Sequence, residues 1–160
     1  MTRQADVIHA EQQEAFKSAV RVLGMREHNE VELREKLSAK NYDAIIIDHV
    51  IELLKHYDYL SEARYAEVFL RYRLGKGETP WLAAQKARRK GAETEALRLA
   101  LLDVEQHFDV WAGCKEVLKK RDPLGRYKQD KRLWQRQMRY LQNKGYDLNT
   151  ILQVMNNEGD

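Results

Sequence analysis

His49 and His56 stand seven residues apart on one predicted helix with Glu52 between them, so all three fall near one face and could seat a metal ion. Two turns of spacing with no cysteine and no third clustered ligand matches no standard zinc pattern, and an ordinary solvated helix face accounts for the pair. His28 and His107 are isolated. Cys114 lies on an apolar helical stripe, the place of a small buried hydrophobe rather than of an activated thiolate. Gly75-Lys76-Gly77 follows a predicted helix instead of a strand, and no G-x-x-x-x-G-K-[ST] run occurs, so it reads as a helix stop and not as a phosphate cradle. The carboxylates interleave with basic residues at helical spacing, Glu32 with Lys36 and Glu116 with Lys120, as on solvated faces. These residues imply neither catalysis nor a cofactor nor a metal.

Basic side chains carry more. Arg71 to Lys90 holds Arg71, Arg73, Lys76, Lys86, Arg88, Arg89 and Lys90 against one acid, Glu78. Lys115 to Arg139 holds ten basic residues against three acids, with Tyr127 and Trp134 interspersed. Such runs repel themselves without an anionic partner, and aromatic neighbours can stack on bases while the cations meet phosphates. The candidate contact residues are Arg71, Arg73, Lys76, Arg88, Arg89 and Lys90, followed by Lys119, Lys120, Arg121, Arg126 and Lys128 in a basic loop. The competing reading is a solvated helix surface, because Lys and Arg are good helix formers. Trp81, Trp111 and Trp134 read as packing residues.

The elements that must position these groups are helices throughout. Phe16, Ala19, Val20 and Leu23 recur at i, i+3, i+4, i+7, and Ile47, Val50, Ile51 and Leu54 repeat the pattern. The chain also repeats itself. Leu37 to Asp43, Ala87 to Glu93 and Leu141 to Asp147 each run from an apolar residue through a Lys to Asn or Gly and end on an acid. Each copy reads as a helix closed at a residue able to take positive φ (Asn41, Gly91, Gly145), followed by an acid that opens the next helix. Three three-helix repeats result, with helices predicted over 12–25, 30–40 and 43–57, over 61–74, 79–90 and 93–104, and over 107–120, 128–144 and 147–156. The corresponding divisions are a fraying N-terminus at 1–11, repeats at 12–58, 59–105 and 106–156, and a tail at 157–160. The fold class is all-α, and tandem stacking predicts an elongated, curved array.

Composition agrees with a folded helical chain: 160 residues, 33% charged, 43% hydrophobic, with two prolines and one cysteine. Apolar runs do not exceed four residues, as at Ala44 to Ile47, which is too short to span a bilayer. A lone cysteine excludes an internal disulfide and fits a reducing cytoplasm. The net charge of +3 conceals an asymmetry: residues 1–70 sum to −4 and residues 71–160 to +7. No heptad seam is visible, so a monomer is expected.

Three stretches resemble the RecX family of recombinase regulators. Arg26-Glu-His-Asn-Glu-Val-Glu-Leu-Arg-Glu-Lys-Leu37 is similar to that family's R-x-x-S-x-x-E-L-x-x-K-L, and Tyr59-Leu-Ser-Glu-Ala-Arg64-Tyr-Ala66 to its Y-L-D-D-x-R-F-A. The third is Arg71-x-Arg73 with Gly75-Lys-Gly77 and Arg89-Lys-Gly91. Asn41 departs from the family's usual glycine, and Ser61-Glu62 replaces its acidic pair; Asn and Ser still serve as caps. The resemblance implies three tandem three-helix repeats without catalysis, and binding to the RecA recombinase along its filament on single- or double-stranded DNA. It also implies inhibition of the ATPase, strand-exchange and co-protease activities. Arg64 matches the family's arginine but also stands where an ion pair with Asp58 or Glu62 is natural. The alternatives are a direct, non-sequence-specific DNA-binding module and a helical scaffold for an acidic protein.

Overall fold

In the computed structural model, which describes residues 2–157, no strand occurs among the described residues. The helices are α1 (Thr2–Met25), α2 (Glu30–Ala39), α3 (Ala44–His56), α4 (Glu62–Gly75), α5 (Pro80–Arg89), α6 (Thr94–His107), α7 (Val110–Arg121), α8 (Lys131–Asn143) and α9 (Leu148–Asn156). A short 3-10 turn spans Arg126–Lys128. The all-α repeat reading holds. Residues 158–160 of the expected tail lie outside the described residues.

Local chemistry sets the boundaries. Asn29 and Glu32 form a capping box at the start of α2, the Asn29 side chain accepting from Glu32 N at 2.8 Å. Glu32 occupies the N3 place of that box and pairs with Arg26 at 3.0 Å, so its ion-pair partner is Arg26, not the expected Lys36. The three acids of the repeat all cap: Asp43 accepts from Ile45 N, Glu93 from Ala96 N and Asp147 from Thr150 N. Accepting that Thr150 N–H lowers the carboxyl pKa of Asp147. Each second helix of a triplet closes the same way: Tyr42 N bonds Leu37 O, Ala92 N bonds Ala87 O and Tyr146 N bonds Leu141 O. Asn41, Gly91 and Gly145 take φ of 67°, 96° and 97° at those corners. Four helices differ by more than one residue from the expected spans; α8 starts at Lys131, after the 3-10 turn, rather than at 128. α1 extends back to Thr2 although residues 3–11 are exposed, so its first turns rest on local helix formation rather than burial. α6 continues to His107, and α7 starts only after Asp109, which accepts from Trp111 N and Ala112 N.

The chain forms two compact units, and the middle triplet contributes to both. Unit 1 takes the chain up to Phe69 together with Lys86–Ala100, and unit 2 takes Leu70–Gln85 and the chain from Leu101 on. In unit 1, Ala15 and Ala19 of α1 meet Leu33 and Leu37 of α2 and Ile47, Val50, Ile51 and Leu54 of α3, all buried. In unit 2, Cys114 and Leu118 of α7 meet Leu141 of α8 and Ile151 and Val154 of α9, with Trp111 and Trp134 partly buried against them. Trp81 departs from its expected packing role. It is 48% exposed, donates from Nε1 to Glu105 at 2.7 Å and sets its ring edge-on to Phe108.

Candidate polyanion-binding grooves

The basic segment between α7 and α8 is an ordered connection. Asp122 Oδ2 accepts from Tyr127 N at 2.9 Å, Gly125 turns the chain at φ 63°, and Tyr127 is buried to 7% exposure. With Tyr127 as the anchor, Arg126 and Lys128 on either side of it are exposed. Burial and the neighbouring Asp122 charge raise the Tyr127 phenol pKa, so the anchor stays neutral at physiological pH. Lys119, Lys120 and Arg121 fill the last turn of α7, where the carbonyl end of the helix favours cations. Lys120 pairs with Glu116 at 2.8 Å across an exposed helical turn.

Arg121 lies over the Tyr140 ring at 4.5 Å, and Lys144 lies 5.4 Å from the same ring. Tyr140 and Arg121 together wall two grooves of unit 2. One, of about 750 Å³, sets Lys76, Lys120 and Arg121 against the acids Glu78, Asp103 and Glu116, so its charge is balanced and it offers a polyanion little. The other, of about 610 Å³, runs along Arg132, Arg136 and Arg139 of α8. These three arginines follow i, i+4, i+7 spacing and are exposed, and no carboxylate pairs with them among the described residues. The opposite side of α8 carries buried Gln137 and Leu141, with Leu133, Trp134 and Met138 partly buried. The α8 row is missing from the residues singled out in the sequence, although its spacing is visible there.

The other expected contact residues are dispersed. Arg71 is exposed, whereas Arg73 makes two 2.8 Å bonds to the buried carboxylate of Glu78 and thereby closes the α4–α5 turn. That turn is further held where Lys144 Nζ donates to Lys76 O at 2.9 Å, while the Lys76 ammonium lies 5.3 Å from the Tyr72 ring. Arg71, Arg73 and Lys76 belong to unit 2, but Arg88, Arg89 and Lys90, exposed at the end of α5, belong to unit 1. The first basic run is therefore divided between the units.

Arg64 is a structural residue. Its Nε donates to Glu27 at 2.5 Å and its Nη2 to the carbonyls of Asp58 and Tyr59 at 3.0 and 3.2 Å, tying the turn before α4 to the α1–α2 turn. The Glu27 hydrogen bond raises its guanidinium pKa. No group of three or more His, Cys, Asp or Glu side chains that could hold a metal occurs among the described residues. Cys114 is fully buried and its thiol is pushed up to about 12 by desolvation, so it is no nucleophile at neutral pH. No helix of the described residues is long and apolar enough to cross a membrane.

Triplets of short helices, each second helix closed by the same backbone corner, define a helical-repeat protein. Residues 15–54 match the family model for the first three-helix domain of RecX, and residues 109–155 the model for its third three-helix domain. The chain is 33% identical over 134 residues to the regulatory protein RecX of Halorhodospira halophila, covering 84% of this chain and 81% of that one. It is 30% identical over 148 residues to that of Syntrophotalea carbinolica, covering 91% and 96%. The crystal structure of RecX from Lactobacillus salivarius superposes with a TM-score of 0.72 over 92% of this chain and 96% of that chain, at 17% identity, and so shares the fold. This chain belongs to the RecX family.

Proposed function

We propose that this chain is a cytoplasmic, non-catalytic regulator that binds the RecA recombinase on its DNA filament and inhibits its ATPase, strand-exchange and co-protease activities. Such a role belongs to DNA recombination, repair and the SOS response. Membership of a family whose relatives are named regulatory proteins supports the regulatory role. The observation that supports the choice of a nucleoprotein partner is the groove along α8 in unit 2, lined by Arg121, Arg132, Arg136 and Arg139 with one acid, Asp130, and with no carboxylate paired to these arginines among the described residues. A row of unpaired guanidiniums matches phosphate, which it binds bidentately, and an acidic protein surface through the same forks.

The second reading, direct non-sequence-specific DNA binding, draws on the same row. Phosphate contacts alone carry affinity without sequence choice, whereas base readout requires Arg, Asn or Gln set against base edges. A titration of the DNA-dependent ATPase of the recombinase separates the two. Inhibition that persists when excess free DNA is added supports the recombinase as the partner; inhibition that disappears assigns the effect to competition for DNA. No inhibition at any ratio overturns the regulator reading.

A further inference from the structure

The three helical corners of the repeat share one backbone geometry, and two of them are occupied. The N-terminus of α2 sits on the corner at Gly91. Asn29 Nδ2 donates to Lys90 O at 3.0 Å, and Val31 is so close that a Cβ added to Gly91 would lie 2.8 Å from Val31 Cβ. The N-terminus of α5 sits on the corner at Gly145 in the same manner. Thr79 N donates to Lys144 O at 2.8 Å, the Thr79 hydroxyl donates to Gly145 O at 3.4 Å, and an added Cβ would lie 2.8 Å from Leu82 Cβ. One such joint lies within each unit. The chemistry is shared: carbonyls left over at a helix C-terminus need donors, and the start of another helix supplies them at the positive end of its dipole. Glycine allows the positive φ and leaves clearance for the visiting helix.

Among the described residues, no helix visits the first corner, at Asn41. Asn41 is exposed, and it carries a Cβ and an amide where both occupied corners have bare backbone. One second helix of a triplet has no corner to sit on: α8, whose first residues Lys131 and Arg132 are exposed beside its cap Asp130. Asp130 accepts from Arg132 N and Leu133 N. Unlike Asn29 and Thr79, its side chain has no hydrogen to donate, and docking would press a carboxylate against helix-end carbonyls. The occupant that fits the open corner is the α8 of a second copy of this chain. The acidic first seventy residues and the basic remainder, −4 against +7, would draw copies together head to tail, a heterologous contact that builds rings or open chains.

We propose that the Asn41 corner is a docking seat of the same type as the Gly91 and Gly145 corners, fitted to α8 of a second copy, and that Asn41 and Asp130 close this joint from its two sides and keep the chain from polymerising. The proposal does not depend on the recombinase reading. It is tested by sedimentation equilibrium of the full chain over a hundredfold concentration range. The unaltered chain stays at its 18.9 kDa mass. Asn41→Gly with Asp130→Asn, two changes that suit a positive φ and a helix cap, gives a mass rising with concentration beyond the dimer and falling with added salt. Asn41→Ala with Asp130→Asn returns to the single-chain mass, because the Cβ is restored. A monomeric Gly/Asn variant with unchanged helicity, equal association of the Ala/Asn variant, or self-association of the unaltered chain each overturns the proposal.

Discussion

In unit 1, Arg26, Arg34, Lys55 and Arg64 each meet a carboxylate within 3.0 Å; in unit 2, Arg132, Arg136 and Arg139 meet none among the described residues. The unit 1 pairs also link elements. Arg34 joins α2 to Asp48 of α3, Lys55 of α3 reaches Glu30 of α2, and Arg64 of α4 reaches Glu27 before α2. Glu62 goes further and accepts backbone N–H groups from both Glu30 and Glu93. Most of these pairs are partly exposed, so each adds modestly to stability while fixing the geometry of its turn. A count of basic residues therefore does not measure the charge offered to a partner. That charge is what remains after internal carboxylates have taken their share, and α8 carries a regularly spaced row of it.

Arg73 is the sharpest exception inside unit 2, because it is basic and yet internally bound. Arg73→Ala strips a bidentate partner from a buried carboxylate and should destabilise the protein by about 3 kcal/mol, read as a lowered midpoint in urea unfolding. A loss confined to partner binding, with the midpoint unchanged, would place Arg73 with the α8 row instead.

The row itself should behave in the opposite way. Replacing Arg132, Arg136 and Arg139 together by Gln should lower affinity for a single-stranded oligonucleotide roughly tenfold or more and flatten the log–log salt dependence by about 2. The urea midpoint should hold within about 0.5 kcal/mol, as for exposed sites generally. An unchanged salt slope would remove α8 from the interface.

The smallest expected effect is a pH dependence confined to unit 1. His28 is 1% exposed; its Nδ1 donates to Arg26 O at 2.9 Å, and its Nε2 is buried without a partner among the described residues. Burial lowers its pKa, so below the ordinary value near 6.5 the unfolded chain binds a proton that the folded chain does not. Stability is then complete above that value and declines as the pH falls through the window beneath it, by at most about 1.4 kcal/mol per pH unit. His28→Gln should flatten the decline measured between pH 7 and 5.

Much of the fold was legible in the sequence because its signals are local. Helix stripes, the acids at 43, 93 and 147 and the positive-φ residues at 41, 91 and 145 each act within a few residues of themselves. The start of α7 lies three residues after the expected 107 because its cap, Asp109, follows close behind the last turn of α6. The α8 row could also have been found by spacing, but it was submerged in a run of ten basic residues that no local rule ranks.

The sequence by itself determined the helices, their caps, the threefold repeat and the polarity of charge along the chain. Only the tertiary structure decided which cations are available, since Arg64 is matched to Glu27 across 37 residues, while Arg132, Arg136 and Arg139 pair with no acid among the described residues. It also decided why two corners require glycine: Asn29 meets Lys90, and Thr79 meets Lys144, across more than sixty residues. Caps and stripes follow from backbone geometry over one or two turns. Ion pairing and close approach depend on which distant residues folding brings within a few ångströms, and no local pattern encodes that.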